Sequence, residues 1–155
     1  MSFVVSALPA EPFAPLFDLS DEALAAQGAL RRTVDAKPGF PCRVSLEDAE
    51  PGETVLLLNY EHQSADTPFR ARHAIYVRQG ARQAELAAGE VPVLFRHRIM
   101  SLRAFDEAGM MRAAEVAPGE VLEPAVERLL ATPEVAYLHA HYAGMGCYAA
   151  RIDRA

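Results

Sequence analysis

The segment richest in potential chemistry is Tyr137-Leu138-His139-Ala140-His141-Tyr142. Read as a β-strand, alternate residues share a face, so Tyr137, His139 and His141 point one way and Leu138, Ala140 and Tyr142 the other. Two imidazoles about 6.6 Å apart on one face can share a metal ion if at least one more ligand joins them. His62, His73 or a cysteine can supply that ligand. The same His-x-His pattern also suits the solvated side of a half-buried strand, where it would do no chemistry. For Cys147 the answer depends on register. If Tyr142 opposes Cys147 across a four-residue turn, the thiol lies on the face of Tyr142, away from the histidines. A five-residue loop would set Cys147 opposite His141.

Pro41-Cys42-Arg43 offers a different chemistry. A guanidinium beside a thiol favours the thiolate, and a nucleophilic thiol needs a base that a histidine brought in by the fold can supply. On this reading Cys42 is the nucleophile and His62 or His141 moves a proton. Arg43 and Arg70, with Arg72 nearby, hold an anionic small molecule through paired guanidinium hydrogen bonds, and Cys147 lines the same pocket. The structural alternative makes each cysteine a small buried hydrophobe and pairs the arginines with some of the 21 acids. Asn59-Tyr60-Glu61-His62 closes an apolar run, a place where loops can converge on a ligand, and equally a place where a strand runs out into a solvated loop.

The elements that must position these groups read as follows. Phe3-Val4-Val5 is a short opening strand. Ser20 or Asp21 caps a helix that ends near Gly28. Arg31 to Ala36 is a strand, and Ser45 caps one helical turn through Ala49. Thr54 to Tyr60 is the clearest strand, continuously apolar and therefore central. A polar loop runs to Phe69, Ala74 to Arg78 forms a further strand, and Gln79 to Ala88 a short helix. Arg98–Phe105 and Met110–Val116 make a hairpin around Asp106-Glu107-Ala108-Gly109. Val135–Tyr142 and Cys147–Asp153 make another around Ala143-Gly144-Met145-Gly146. Between them Val121 to Ala131 is an amphipathic helix that starts near Glu123, because Pro124 fits only a first turn. The expected architecture is one α+β domain over residues 1–155, with a mainly antiparallel sheet.

Composition narrows the function classes. The chain has 155 residues, a net charge of −6, 51 % hydrophobic and 23 % charged residues, the balance of a folded globular protein. Net acidity argues against broad nucleic-acid binding, which needs a basic face. No apolar run reaches the ~20 residues of a membrane span, and no basic leader precedes an apolar stretch, so the expectation is a cytoplasmic protein without a membrane partner. In that compartment Cys42 and Cys147 are thiols. No phosphate loop, dinucleotide fingerprint, nucleophile elbow or zincin motif is present, and no cofactor is indicated. Partners open to such a chain are an anionic small molecule, a metal ion, or another protein, including a second copy of itself in a homo-oligomer. In that last case an apolar patch or sheet edge would do the work without chemistry.

The order of the motifs resembles the bacterial domain of unknown function 1203. The likeness rests on Pro41-Cys42-Arg43, Leu46, Asp48-Ala49 and Pro51-Gly52-Glu53 leading into Leu56-Leu57. It continues through Tyr60 and His62, Pro68-Phe69-Arg70, Ile75-Tyr76-Val77 and Ser101-Leu102-Arg103, and ends at His141 and Gly146-Cys147-Tyr148-Ala149-Ala150-Arg151. His73-Ala74 stands where the family pattern has Gly-Pro, and Met145 where proline often precedes Gly-Cys. The resemblance implies no activity, substrate or cofactor. It implies only that Cys42, Arg43, His62, Arg70, His141 and Cys147 lie in recurring motifs, whereas His97 does not.

Overall fold

The structure, a computed structural model, describes residues 2–155. In chain order it contains β1 (Phe3–Ser6), α1 (Asp21–Ala26), β2 (Leu30–Thr33), β3 (Thr54–Gln63), β4 (Ala71–Arg78) and α2 (Val93–Arg96). Then follow β5 (Ile99–Phe105), β6 (Met111–Pro118), α3 (Glu123–Leu130), β7 (Tyr137–Tyr142) and β8 (Tyr148–Arg154). This is the expected α+β class with antiparallel pairing. One sheet has five strands in the order β1-β8-β7-β5-β6 and the other three in the order β2-β3-β4. The chain forms two compact units. The first holds the N-terminal stretch through Ser6, Glu61–His73 and Glu85–Ala155; the second holds Ala7–Tyr60 and Ala74–Ala84.

In the first unit β7 occupies the middle of the five-stranded sheet. Met100, Leu102 and Ala104 of β5 lie opposite Tyr142, Ala140 and Leu138, and five of these six are fully buried. Complete burial of a leucine or methionine contributes about 1.5–3 kcal/mol, so this face anchors the unit. The helix α3 lays Ala125, Val126, Leu129 and Leu130 on β5, β6 and β7, and begins at Glu123 with Pro124 in its first turn, as its sequence demands. The β5–β6 turn closes because the Asp106 carboxylate accepts from the backbone N–H groups of Ala108 (2.9 Å) and Met110 (3.0 Å), and Gly109 supplies a φ of +82°. Gly109 serves a second purpose: a Cβ there would stand 2.3 Å from the Ala65 Cβ. Thr67 donates to the Gly109 carbonyl at 3.2 Å. The loop after β3 is thereby held against the β5–β6 turn.

The second unit is built on β2 and β3, paired antiparallel from Leu30↔Leu57 to Thr33↔Thr54. Ser20 caps α1 by accepting from Ala23 N–H at 3.1 Å. Val34, Ala49 and Val55 form a small core with Phe40 and Tyr76 against it.

Several boundaries differ from the sequence reading. Ser45 to Ala49 is not helical: Leu46 takes φ +50° and the Ser45 hydroxyl, buried, has no hydrogen-bond partner. The segment instead folds back so that Pro41 bridges Asp48. Gln79 to Ala88 is not helical: a turn at Gln79-Gly80 leads into an irregular stretch. Its polar groups go elsewhere: Ala84 N–H donates to Val44 and the Gln83 amide to Ala7. The first helix after β4 is the short α2, one turn at Val93–Arg96. The strand expected at Arg31–Ala36 spans Leu30–Thr33. More consequentially, β3 continues to Gln63 and β4 begins at Ala71. His62 and His73 are therefore strand residues, not loop residues.

Gly119, just after β6, is the position least tolerant of a side chain. A Cβ would meet the Phe95 carbonyl oxygen at 1.6 Å and that of Arg98 at 2.8 Å. Gly144, in the β7–β8 turn, has nothing within 4 Å and no positive φ. Thermal or urea unfolding should therefore show Gly119→Ala destabilised by about 2–3 kcal/mol, while Gly144→Ala unfolds within about 0.5 kcal/mol of the parent.

Candidate functional site

The face of β7 opposite the apolar core carries His139 and His141. Both are buried, at 3 % and 0 % exposure, so the solvated-strand alternative is overturned. The cause is position: β7 is the central strand, and its second face is covered by the joined ends of β3 and β4 in the same unit. Register across the sheet then sets two rows. Arg103, His139 and Arg151 lie side by side on β5, β7 and β8, and so do Ser101, His141 and Tyr148. The second row exists because of a bulge between Ala140 and His141. It gives β8 one extra residue and sets Tyr148, rather than Ala149, opposite His141.

The end of β3 is tied down by Gln63, whose amide donates to the Tyr137 hydroxyl at 2.9 Å while its carbonyl oxygen accepts from Ala65 N–H at 3.2 Å. His62 is thus pressed into the histidine face. Its ring stacks on Tyr148 with centroids 4.9 Å apart and planes 6° from parallel. His62 Nε2 and His73 Nδ1 are 2.6 Å apart, one donating to the other. Ring centroids of His62, His73 and His141 are separated by 4.8, 4.9 and 5.3 Å. One ring nitrogen from each of the three lies within 4.8 Å of the others. A tetrahedral ion with metal–nitrogen bonds of about 2.0–2.1 Å would set ligand nitrogens roughly 3.3 Å apart and ring centres about 5 Å apart. The ring centres have about that spacing, and an ion entering between them would replace the His62–His73 hydrogen bond.

Hydrogen bonding fixes which nitrogen His141 presents. Its Nδ1 lies 2.8 Å from the Gly146 carbonyl oxygen, which can only accept, so the proton is on Nδ1 and Nε2 carries the lone pair. That Nε2 is buried and has no hydrogen-bond partner, as are His62 Nδ1 and His139 Nδ1. A carbonyl behind one ring nitrogen and an unpartnered lone pair on the other is the arrangement that orients a metal-binding histidine.

All four rings are held uncharged. Burial is the largest cause in each case, and it lowers His62 to about 4, His139 to about 3 and His141 to about 2. The positive Arg103 adds to the effect on all three and on His73, which burial also lowers. Arg103 itself is half-buried and pushed below its ordinary value by burial alone. Beside the cluster an open cleft of about 490 Å³ is lined by His62, Gln63, Glu107, Tyr137, His139 and Arg151. Arg151 lies over the Tyr137 ring, 4.0 Å from its centre, and pairs with Asp153.

The other sequence candidates lie as follows. Cys42 is in the second unit, fully buried, with its sulfur accepting from the Ser45 and Arg78 backbone N–H groups. Arg43, beside it, is 2 % exposed and donates to the Pro41 carbonyl at 2.6 Å. Arg70, at the surface of the first unit, pairs with Glu61 at 2.7 Å. Cys147 is half-buried. Tyr142 N–H donates to its carbonyl at 2.9 Å, so the turn has four residues and the thiol is not among the clustered ligand groups. His97 is exposed at the end of α2. The sequence reading assigned no role to Arg103 or Tyr148. Both stand in motifs that carry the family resemblance, but Arg103 was otherwise legible only as part of a strand, and Tyr148 reaches this face through a bulge that no residue pattern announces.

A family model covers residues 39–154, described as a protein of unknown function (DUF1203). The chain belongs to that family. Its matched region contains β3 through β8 and so every histidine of the cluster. No curated protein and no solved structure matches this DUF1203 chain. Among its described residues no helix is long and apolar enough to cross a membrane.

The buried rings predict that this chain loses stability in acid. In the unfolded chain a histidine takes up a proton near pH 6.5, whereas folded His62, His139 and His141 resist until about 4, 3 and 2. Between those limits the unfolded state binds more protons. Stability of the metal-free protein should therefore be fully present above pH 6.5 and fall progressively from there through pH 4. Melting curves between pH 8 and pH 4 check this, and His62→Gln should show a shallower pH slope than the parent.

Proposed function

We propose that this protein binds one divalent transition-metal ion, of the zinc class, through His62, His73 and His141. The observation that carries the reading is the orphaned, buried His141 Nε2, its own Nδ1 locked on Gly146, in a ring that has one nitrogen within 4.8 Å of a nitrogen of His62 and of His73. A buried polar atom without a partner costs about 1–3 kcal/mol. A core selected only for packing has no use for four neutral imidazoles where leucine or phenylalanine would fill the space. Neutral nitrogen donors without a carboxylate favour zinc, cobalt, nickel or copper over magnesium or calcium. The rings are already deprotonated near neutral pH, so binding displaces no protons from His62 or His141.

Three protein ligands leave a fourth position for water or substrate, which is the pattern of a reactive rather than a purely structural zinc centre. His139 stands next to the three, with centroids 5.7 Å from His62 and 6.4 Å from His141. Its unpartnered Nδ1 is free to hydrogen-bond a group on the metal. This keeps the His-x-His strand at the centre of the site and makes His141 the direct ligand and His139 its neighbour. The nucleophilic-thiol reading has less support, because Cys42 has no solvent exposure. Both cysteines are unpaired, which supports a reducing compartment such as the cytoplasm.

Protein purified without an affinity tag should contain about one transition-metal ion per chain by elemental analysis. His73 is partly exposed, so His73→Ala should fold and bind zinc at least roughly 100-fold more weakly than the parent. A parent chain that takes up no zinc, or a His73→Ala variant with unchanged affinity, rejects the assignment.

A further inference from the structure

The ligands of the proposed centre supply no negative charge: all three are neutral, and no carboxylate joins them in the cluster. Glu61, next to His62, is committed to Arg70. Arg103 adds a second positive group. On β5 it lies directly opposite His139, a register that sets the two Cβ atoms about 4.5–5.5 Å apart. Arg151 flanks His139 on the other side, but its Nε and Nη2 make three hydrogen bonds to Asp153. Other arginines likewise hold acids: Arg78 grips Glu53 and Arg96 grips Glu123. Among the described residues no carboxylate pairs with Arg103. A half-buried guanidinium beside a dication, with no acid between them, calls for an anion from outside.

We infer that the centre takes a small molecule bearing an oxyanion, a carboxylate or a phosphate, held jointly by the metal's open position and Arg103. The inference rests on the metal reading above and names the ligand class for the same site. The guanidinium fork matches two oxygens of either group, which an ammonium does not. His139 Nδ1, buried beside Arg103's row and without a partner, offers a third polar contact to the same ligand. The anion-binding role that residue types alone assigned to Arg43 and Arg70 passes to Arg103.

Cobalt(II) tests the metal and the anion separately, because its visible bands report what occupies the fourth position. The full-length chain is loaded with cobalt, its content measured by elemental analysis, and titrated with acetate and with inorganic phosphate. The expected result is about one cobalt per chain and a saturable band change with at least one of the two anions. Arg103→Gln should retain the cobalt but require at least about tenfold more anion, and Arg103→Lys should fall between. Far-UV circular dichroism checks folding; if Arg103→Gln unfolds, Arg103→Lys carries the comparison. Bands indifferent to both anions, or variants that titrate like the parent, overturn the oxyanion assignment and leave the metal site standing. A parent chain that binds no cobalt removes the metal site and this inference with it.

Discussion

The antiparallel pairing of β7 between β5 and β8 is the constraint on which the site depends. Pairing covers both edges of β7, and the ends of β3 and β4 cover the face that the apolar core does not, so its alternate residues are buried on both sides. Leu138 and Ala140 suit that position; His139 and His141 do not, unless their nitrogens are used. The same pairing aligns Arg103, His139 and Arg151 in one row and Ser101, His141 and Tyr148 in the next. Neither row involves neighbours in sequence. Both follow from hydrogen-bond ladders that fix which residues face each other.

Burial and orientation act together on the imidazoles. Removal from water holds them neutral, which is the ligating form. The Gly146 carbonyl then selects the tautomer of His141, at a turn whose four-residue length also sends Cys147 elsewhere. The His62 ring is clamped between Tyr148 and the other histidines, while Gln63, the next residue, anchors the strand end to Tyr137. These supporting contacts determine how precisely the three nitrogens are held, and that precision distinguishes a metal site from a stack of aromatic rings.

Charge completes the description. The chain as a whole is acidic, yet the cluster contains no acid and has an arginine at its edge. Arg78, Arg96 and Arg151 hold carboxylates, whereas among the described residues no carboxylate pairs with Arg103. A net charge counted over 155 residues therefore says little about what this cavity attracts.

Much of the secondary structure was determined by the sequence itself. The helix after Ser20, the helix beginning at Pro124's turn, the two hairpins and the alternation along Tyr137–Tyr142 follow from caps, turn residues and periodicity, which are local. The alternation correctly put His139 and His141 on one face. It could not say whether that face meets water, because burial depends on what packs over the sheet, here the ends of β3 and β4. His73 and Arg103 belong to the site only because β4 starts three residues earlier than its apolar run and β5 pairs in one particular register. The Gln79–Ala88 segment fails as a helix for a related reason: distant carbonyls at Ala7 and Val44 take its donors. Residue pattern encodes what a segment can do alone. Which imidazoles meet is decided by long-range pairing, where a shift of one residue sends every side chain to the other face.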